Sequence, residues 1–134
     1  MIFIDTNIFL RALTNDNKVQ SPLCRRLLHK IEQGEIEAIT TDLTVAEIVF
    51  ILEGIPYSFT REKIAQALLP VVVLPALKNS SQTLWREIFK IYVNKTVDFI
   101  DAYNMVVMQT GSVTKAYSYD HDFDKAGLLK RLEP

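Results

Sequence analysis

The sequence predicts an α/β domain: a mostly parallel central sheet of about four to five strands, flanked by helices on both faces. Three observations predict it. Residues 2–4 and 71–74 are short runs of strand-forming apolar residues without polar alternation, as strands buried on both faces are. Such runs alternate along the chain with segments of helical spacing, the order a parallel sheet requires. The 134 residues are 49% hydrophobic, which suits one ordinary core. No repeat, low-complexity tract or linker divides the chain, so residues 1–134 are expected to form a single domain.

Each element has its own warrant. The strand at 2–4 ends in Asp5-Thr6-Asn7, and residues 8–13 read as a short helix. Ser21-Pro22 is a helix start, with a capping hydroxyl and then proline in the first turn. Leu23, Leu27, Leu28 and Ile31 follow at helical spacing, and Gly34 is the expected stop. Residues 36–40 alternate as a second strand. Residues 42–52 leave almost no polar face, which predicts a helix buried on most sides. A helix over 61–69 is expected to end at Pro70, with a third strand at 71–74 between Pro70 and Pro75. Residues 80–95 are amphipathic, with Leu84, Ile88 and Tyr92 on one stripe and Trp85 and Phe89 beside it. A largely apolar helix over 99–109 closes at Gly111, a fourth strand spans 115–119, and the tail from Gly127 reads as a helix or loop packing Leu128, Leu129 and Leu132.

Composition excludes several classes. Fifteen basic residues face sixteen acidic ones, so no global positive field advertises nucleic-acid binding. Local cations such as Lys18, Arg25, Arg26, Lys30, Lys90 and Lys95 would have to supply it. The single cysteine, Cys24, forms no internal disulfide and fits a reducing compartment. The longest apolar run, 64–77, is too short and too broken by Gln66, Pro70 and Pro75 to span a bilayer, and no secretory signal is visible. A soluble cytoplasmic protein is expected.

Four carboxylates stand in apolar settings. Asp5 and Asp120 each follow a strand directly; Glu47 and Asp101 each sit in a helix otherwise too apolar to want them. An unpaired buried carboxylate costs several kcal/mol. Four such residues suggest one shared acidic pocket, in which some would take up protons unless a cation joined them. Oxygen donors without Cys or His at ligand spacing favour Mg²⁺ or Mn²⁺. Such ions hold phosphates and activate water, the requirements of phosphodiester hydrolysis. Plainer readings exist for each acid. Asp5 could cap the following helix. Thr44-x-x-Glu47 fits a capping box. Asp98 could begin its helix and favour the dipole. Asp120, Asp122 and Asp124 imitate a calcium loop, but Lys125 replaces the needed glycine and Arg131 the last glutamate. His29 and His121 read as surface residues.

The chain resembles the PIN-domain nucleases, especially the VapC-type toxins of toxin–antitoxin pairs. The matching segments are IDTNIFL, TDLTVAEIVFIL, VDFIDAYNMVV and AYSYDHDFDK, in family order over nearly the full length. The resemblance implies a metal-dependent endoribonuclease whose catalytic and metal-binding acids are Asp5, Glu47, Asp101 and Asp120. It places polar helpers at Asn7 and Ser118, where threonine is more usual, and secondary acids at Asp98 and Asp122. It also implies an RNA substrate, a homodimer and inhibition by a small antitoxin. The alternative is a catalytically inactive PIN-like interaction or RNA-processing module. A phosphoaspartate enzyme using Asp5 is disfavoured, because Asn7 stands where a second acid would be needed.

Overall fold

A computed structural model describes residues 1–134, and the chain divides into two compact units, Met1–Gln82 and Thr83–Pro134. The first unit runs β1 (Ile2–Phe3), α1 (Thr6–Leu13), α2 (Gln20–Glu32), β2 (Ala38–Ile39), α3 (Asp42–Glu53), α4 (Arg61–Val72) and β3 (Leu77–Lys78). Its three strands form a wholly parallel sheet in the order β1-β2-β3, with Ile2 opposite Ala38 and Ala38 opposite Leu77. Helical crossovers between strands make that parallel arrangement possible. Backbone bonds extend the ladder beyond the assigned pairs: Ile4 N–H donates to the Ile39 carbonyl at 2.9 Å, and Thr40 N–H to the Lys78 carbonyl at 2.9 Å. The core beneath is mostly aliphatic, with Phe9, Ile31, Ala38, Ile48, Leu52, Ile64, Leu68 and Leu77 all fully buried.

The sequence expectations need four corrections in this unit. β1 is an edge of its three-stranded sheet, so Ile2 and Phe3 are exposed and only Ile4 is buried. Residues 71–74 are not a strand. α4 continues through Pro70 to Val72 because Ile64, Leu68 and Val72 form one buried stripe at four-residue spacing, and the proline removes only one bond near the helix end. The third strand lies instead at Leu77–Lys78. α2 starts ahead of Ser21-Pro22, because Asn17 Oδ1 accepts from the backbone N–H groups of Val19 and Gln20 and does the capping. α3 is not buried on most sides: Leu43, Glu47 and Phe50, spaced four and three residues apart, face outward. The stop at Gly34 is met in the left-handed region, at φ +75°.

The second unit runs α5 (Trp85–Asn94), α6 (Phe99–Thr110), β4 (Lys115–Tyr117), α7 (Asp122–Ala126) and β5 (Lys130–Leu132). α5 and α6 meet through aromatic rings. Phe99 stacks on Trp85 with centroids 6.3 Å apart and takes Tyr92 edge-on at 5.5 Å. Ile88, Phe89 and Tyr92 are buried as the amphipathic stripe requires. The tail is a strand, not a helix or loop. β5 pairs in parallel with β4, Lys130 N–H donating to the Thr114 carbonyl and Ser118 N–H to the Leu132 carbonyl. Gly127, at φ +68°, supplies the reversal between α7 and β5. Every strand pairing is thus parallel, within two separate sheets of three and two strands.

Candidate metal centre

In the second unit, α6 and the segment after β4 bring acids together. Asp98 holds the N-cap position of α6 without a side-chain cap bond, Asp101 lies in the first turn, and Asp122 opens α7. Each of these three offers a carboxylate oxygen, and the three oxygens lie within 4.8 Å of one another. Asp120 joins them through a hydrogen bond to Asp101. Burial, then the charges of Asp120, Asp98 and Asp122, then that hydrogen bond push the Asp101 carboxyl up to about 6. Asp101 and Asp122 are half-buried; Asp98 and Asp120 are exposed.

Backbone and side-chain bonds fix the turn that carries Asp120 and Asp122. Ser118 Oγ accepts from Asp120 N–H at 2.9 Å, and Asp120 Oδ1 accepts from Asp122 N–H at 2.9 Å. Asp98 N–H points at Asp122 Oδ2 at 3.4 Å, and Lys125 Nζ approaches Asp122 Oδ1 at 2.8 Å. Arg131 on β5 braces the turn at both ends. Its Nη1 donates to the Ser118 carbonyl and its Nε to Asp124 Oδ2, both at 2.9 Å. Bonds from Arg131 and His121 hold the Asp124 carboxyl below the usual range. Asp124 is thereby engaged away from the acid cluster, in keeping with the failed calcium-loop pattern, and His121 sits on it at the surface.

In the first unit, Asp5 occupies the N-cap position of α1 but makes no cap bond with its side chain, so capping does not explain it. Thr6 Oγ1 donates to Glu47 Oε2 at 2.5 Å, tying the start of α1 to α3. Glu47 is not a capping-box residue. Thr41 caps α3 by accepting from Thr44 N–H, which places Glu47 a turn further on. Both Asp5 and Glu47 are exposed, as is Asn7 in the first turn of α1. The expectation that four acids are buried is therefore corrected: Asp5, Glu47 and Asp120 are exposed, on the outward stripe of α3 and at loop ends, and of the four Asp101 alone is half-buried. Sequence reading missed two supports. Thr6 is buried although polar, and Arg131 was weighed only as a failed calcium ligand.

A family model for the PIN domain matches residues 2–129. The chain belongs to the PIN-domain family. No curated protein matches the sequence. PIN domains are in general metal-dependent nucleases, and the match runs across both compact units. The donor set of this PIN domain fits a divalent ion: every candidate ligand atom is a carboxylate oxygen, and a cation would relieve the crowding of negative charge around Asp101. No helix is long and apolar enough to cross a membrane.

Proposed function

We propose that this PIN domain is an endoribonuclease dependent on Mg²⁺ or Mn²⁺, and that residues 1–134 act as one domain. The observation that carries the reading is the convergence of the Asp98, Asp101 and Asp122 carboxylates in a chain of this family. Asp5, Glu47, Asp101 and Asp120 are the proposed catalytic and metal-holding acids, with Asn7, Asp98, Ser118 and Asp122 in support. When bound, the ion supplies Lewis-acid chemistry, activating water and neutralising charge on the phosphate. The protein's own groups have simpler tasks. Thr6 orients Glu47, Ser118 and the Asp122 backbone orient Asp120, and Lys125 offsets the charge of Asp122. Asp101 must be ionised to hold a cation, so activity should rise as pH passes about 6 in weak metal.

The finer proposal is a VapC-type toxin of the cytoplasm, held inactive by a small antitoxin and acting as a homodimer. Its support is the four-segment resemblance. The exposed Leu43 and Phe50 on α3 supply apolar surface of the kind a second copy would cover. The test is cleavage of RNA with EDTA, Mg²⁺ and Mn²⁺, beside Asp101→Asn. Metal-dependent cleavage lost in the variant supports the reading. Absence of cleavage with either metal would leave the inactive interaction module as the better account.

A further inference from the structure

A groove of about 790 Å³ in the first unit lies between the loop after α1 and the segment joining α3 to α4. Its wall carries Arg25 and Lys63, the Tyr57–Phe59 ring pair, and Asp16. The carboxylate is already taken. Arg11 Nη1 and the Tyr57 hydroxyl both donate to Asp16 Oδ2 at 2.6 Å. Desolvation pushes the Asp16 carboxyl up, but the Tyr57, Thr14 and Arg11 bonds and the Arg11 charge outweigh it, so Asp16 stays ionised and engaged. The two remaining cations are not neutralised in this way. Arg25 makes two long bonds, both 3.4 Å and both to neutral oxygens, the Thr14 carbonyl and Asn15 Oδ1. Lys63 Nζ sits 3.9 Å from the centre of the Phe59 ring, a contact that leaves its charge in place. Phe59 meets Tyr57 edge-on at 6.2 Å, and both rings are half-buried, so they form a firm apolar step beside the cations.

We infer that this groove is a subsite for single-stranded RNA: Arg25 and Lys63 hold phosphates, and the Tyr57–Phe59 step receives a base. Cations interleaved with aromatic rings are the means by which proteins hold single strands without reading sequence. An acidic peptide would use the cations and leave the aromatic step unexplained. Arg25 can exchange its long neutral bonds for charge-assisted bonds to a phosphate, which are shorter and stronger. The position suits a substrate strand. The groove opens at the C-terminal end of α1 and Asp5 stands at its N-terminal end, and eight residues of helix span about 12 Å. At 3.4 Å per stacked nucleotide that is on the order of three to four nucleotides. The inference rests on the ribonuclease reading above and assigns that substrate a second point of grip.

The test uses the full chain. Binding of a fluorescent ten-nucleotide oligouridylate is measured against salt in an Asp101→Asn background with Mg²⁺, with and without Arg25→Gln/Lys63→Gln. The double change should lower affinity at least tenfold and flatten the slope of log K against log salt by about 1.4, or about 0.7 for each lost phosphate contact. In the otherwise native enzyme the same pair should raise KM for the ten-nucleotide RNA and leave cleavage of a dinucleotide, too short to reach the groove, unaltered. Unchanged affinity and salt slope in a chain that cuts RNA would overturn the inference alone. A polyglutamate peptide that loses binding in the double variant, while RNA binding holds, would overturn it in favour of a peptide groove. A native chain that neither cuts nor binds RNA would remove the ribonuclease reading and this subsite with it.

Discussion

Replacing Asp101 with asparagine should stabilise the metal-free protein at neutral pH and leave it unchanged in acid. The carboxyl moves from an ordinary 3.8 to about 6 on folding, because burial and three neighbouring carboxylates disfavour its charge. The folded state therefore binds this proton more tightly than the unfolded chain does. The stability that the proton confers is complete below about pH 4 and is lost as pH rises through about 6. About two pH units at 1.36 kcal/mol each give roughly 3 kcal/mol. Screening by solvent at this partly exposed group reduces that to about 1 kcal/mol. Asparagine carries no charge and keeps a donor toward Asp120, so it escapes the penalty. Melting curves in EDTA should show the variant about 3 °C above the native protein at pH 7.5 and level with it at pH 4. Because Asp16 and Asp124 have lowered values and lose stability only in stronger acid, comparison with the variant isolates Asp101. Adding Mn²⁺ at pH 7.5 should reverse the order. An ion bound only to the native state contributes about 2.7 kcal/mol at a hundredfold excess over Kd, and the variant should forfeit most of it. A difference between the two proteins that does not vary with pH would refute the repulsion argument.

Four further outcomes can be measured. Asp101→Asn should lower RNA cleavage by on the order of 10³-fold, as loss of a directly acting charge does, and Asp98→Asn by about 10–100-fold; a reversed order would exchange their roles. Products should carry 5′-phosphate and 3′-hydroxyl ends, since water is the nucleophile and the site has no histidine pair, and 2′,3′-cyclic phosphates on mass spectrometry would exclude this. Glu47→Gln keeps an acceptor for Thr6 at an exposed site, so its metal-free melting point should move by less than about 0.5 kcal/mol in stability while its response to Mn²⁺ is blunted. Arg131→Gln should weaken Mn²⁺ binding by about 10–100-fold in calorimetry, because the turn carrying Asp120 and Asp122 loses its brace; unchanged affinity would make Arg131 a fold residue only.

The helices were legible where side-chain period and packing agreed. Ile88 and Tyr92 lie on a stripe that the aromatic core then buries, and α6 begins and ends where Asp98 and Gly111 suggest. Strands were harder because they are only two or three residues long and owe their existence to partners far along the chain. Residues 130–132 have no strand pattern, yet the Thr114 and Leu132 carbonyls accept bonds that make them one. Residues 71–74 have a strand composition, yet the buried face shared by Ile64, Leu68 and Val72 carries the helix across Pro70. In each case a tertiary contact overrode a local preference.

The acids teach a different lesson. From sequence, their apolar neighbours implied burial, and burial implied function because an isolated buried charge is costly. Glu47 shows why the first step fails. Its neighbours Val45, Ile48 and Val49 are buried, while Glu47 shares with Leu43 and Phe50 the face that the helix turns outward. An apolar stretch of helix does not bury every position within it. What marks the candidate metal site is mutual position, with partial burial at Asp101. Burial of Asp101, with the charges of Asp120, Asp98 and Asp122 around it, holds its proton at a pH where a solitary aspartate would have lost it. Spacing along one helix foreshadowed the pair Asp98 and Asp101, three residues apart. Asp122 enters only because the turn held by Ser118, Asp120 and Arg131 brings α7 back to the mouth of α6. Crowding of like charges is unfavourable for the bare fold, and a bound cation would relieve it.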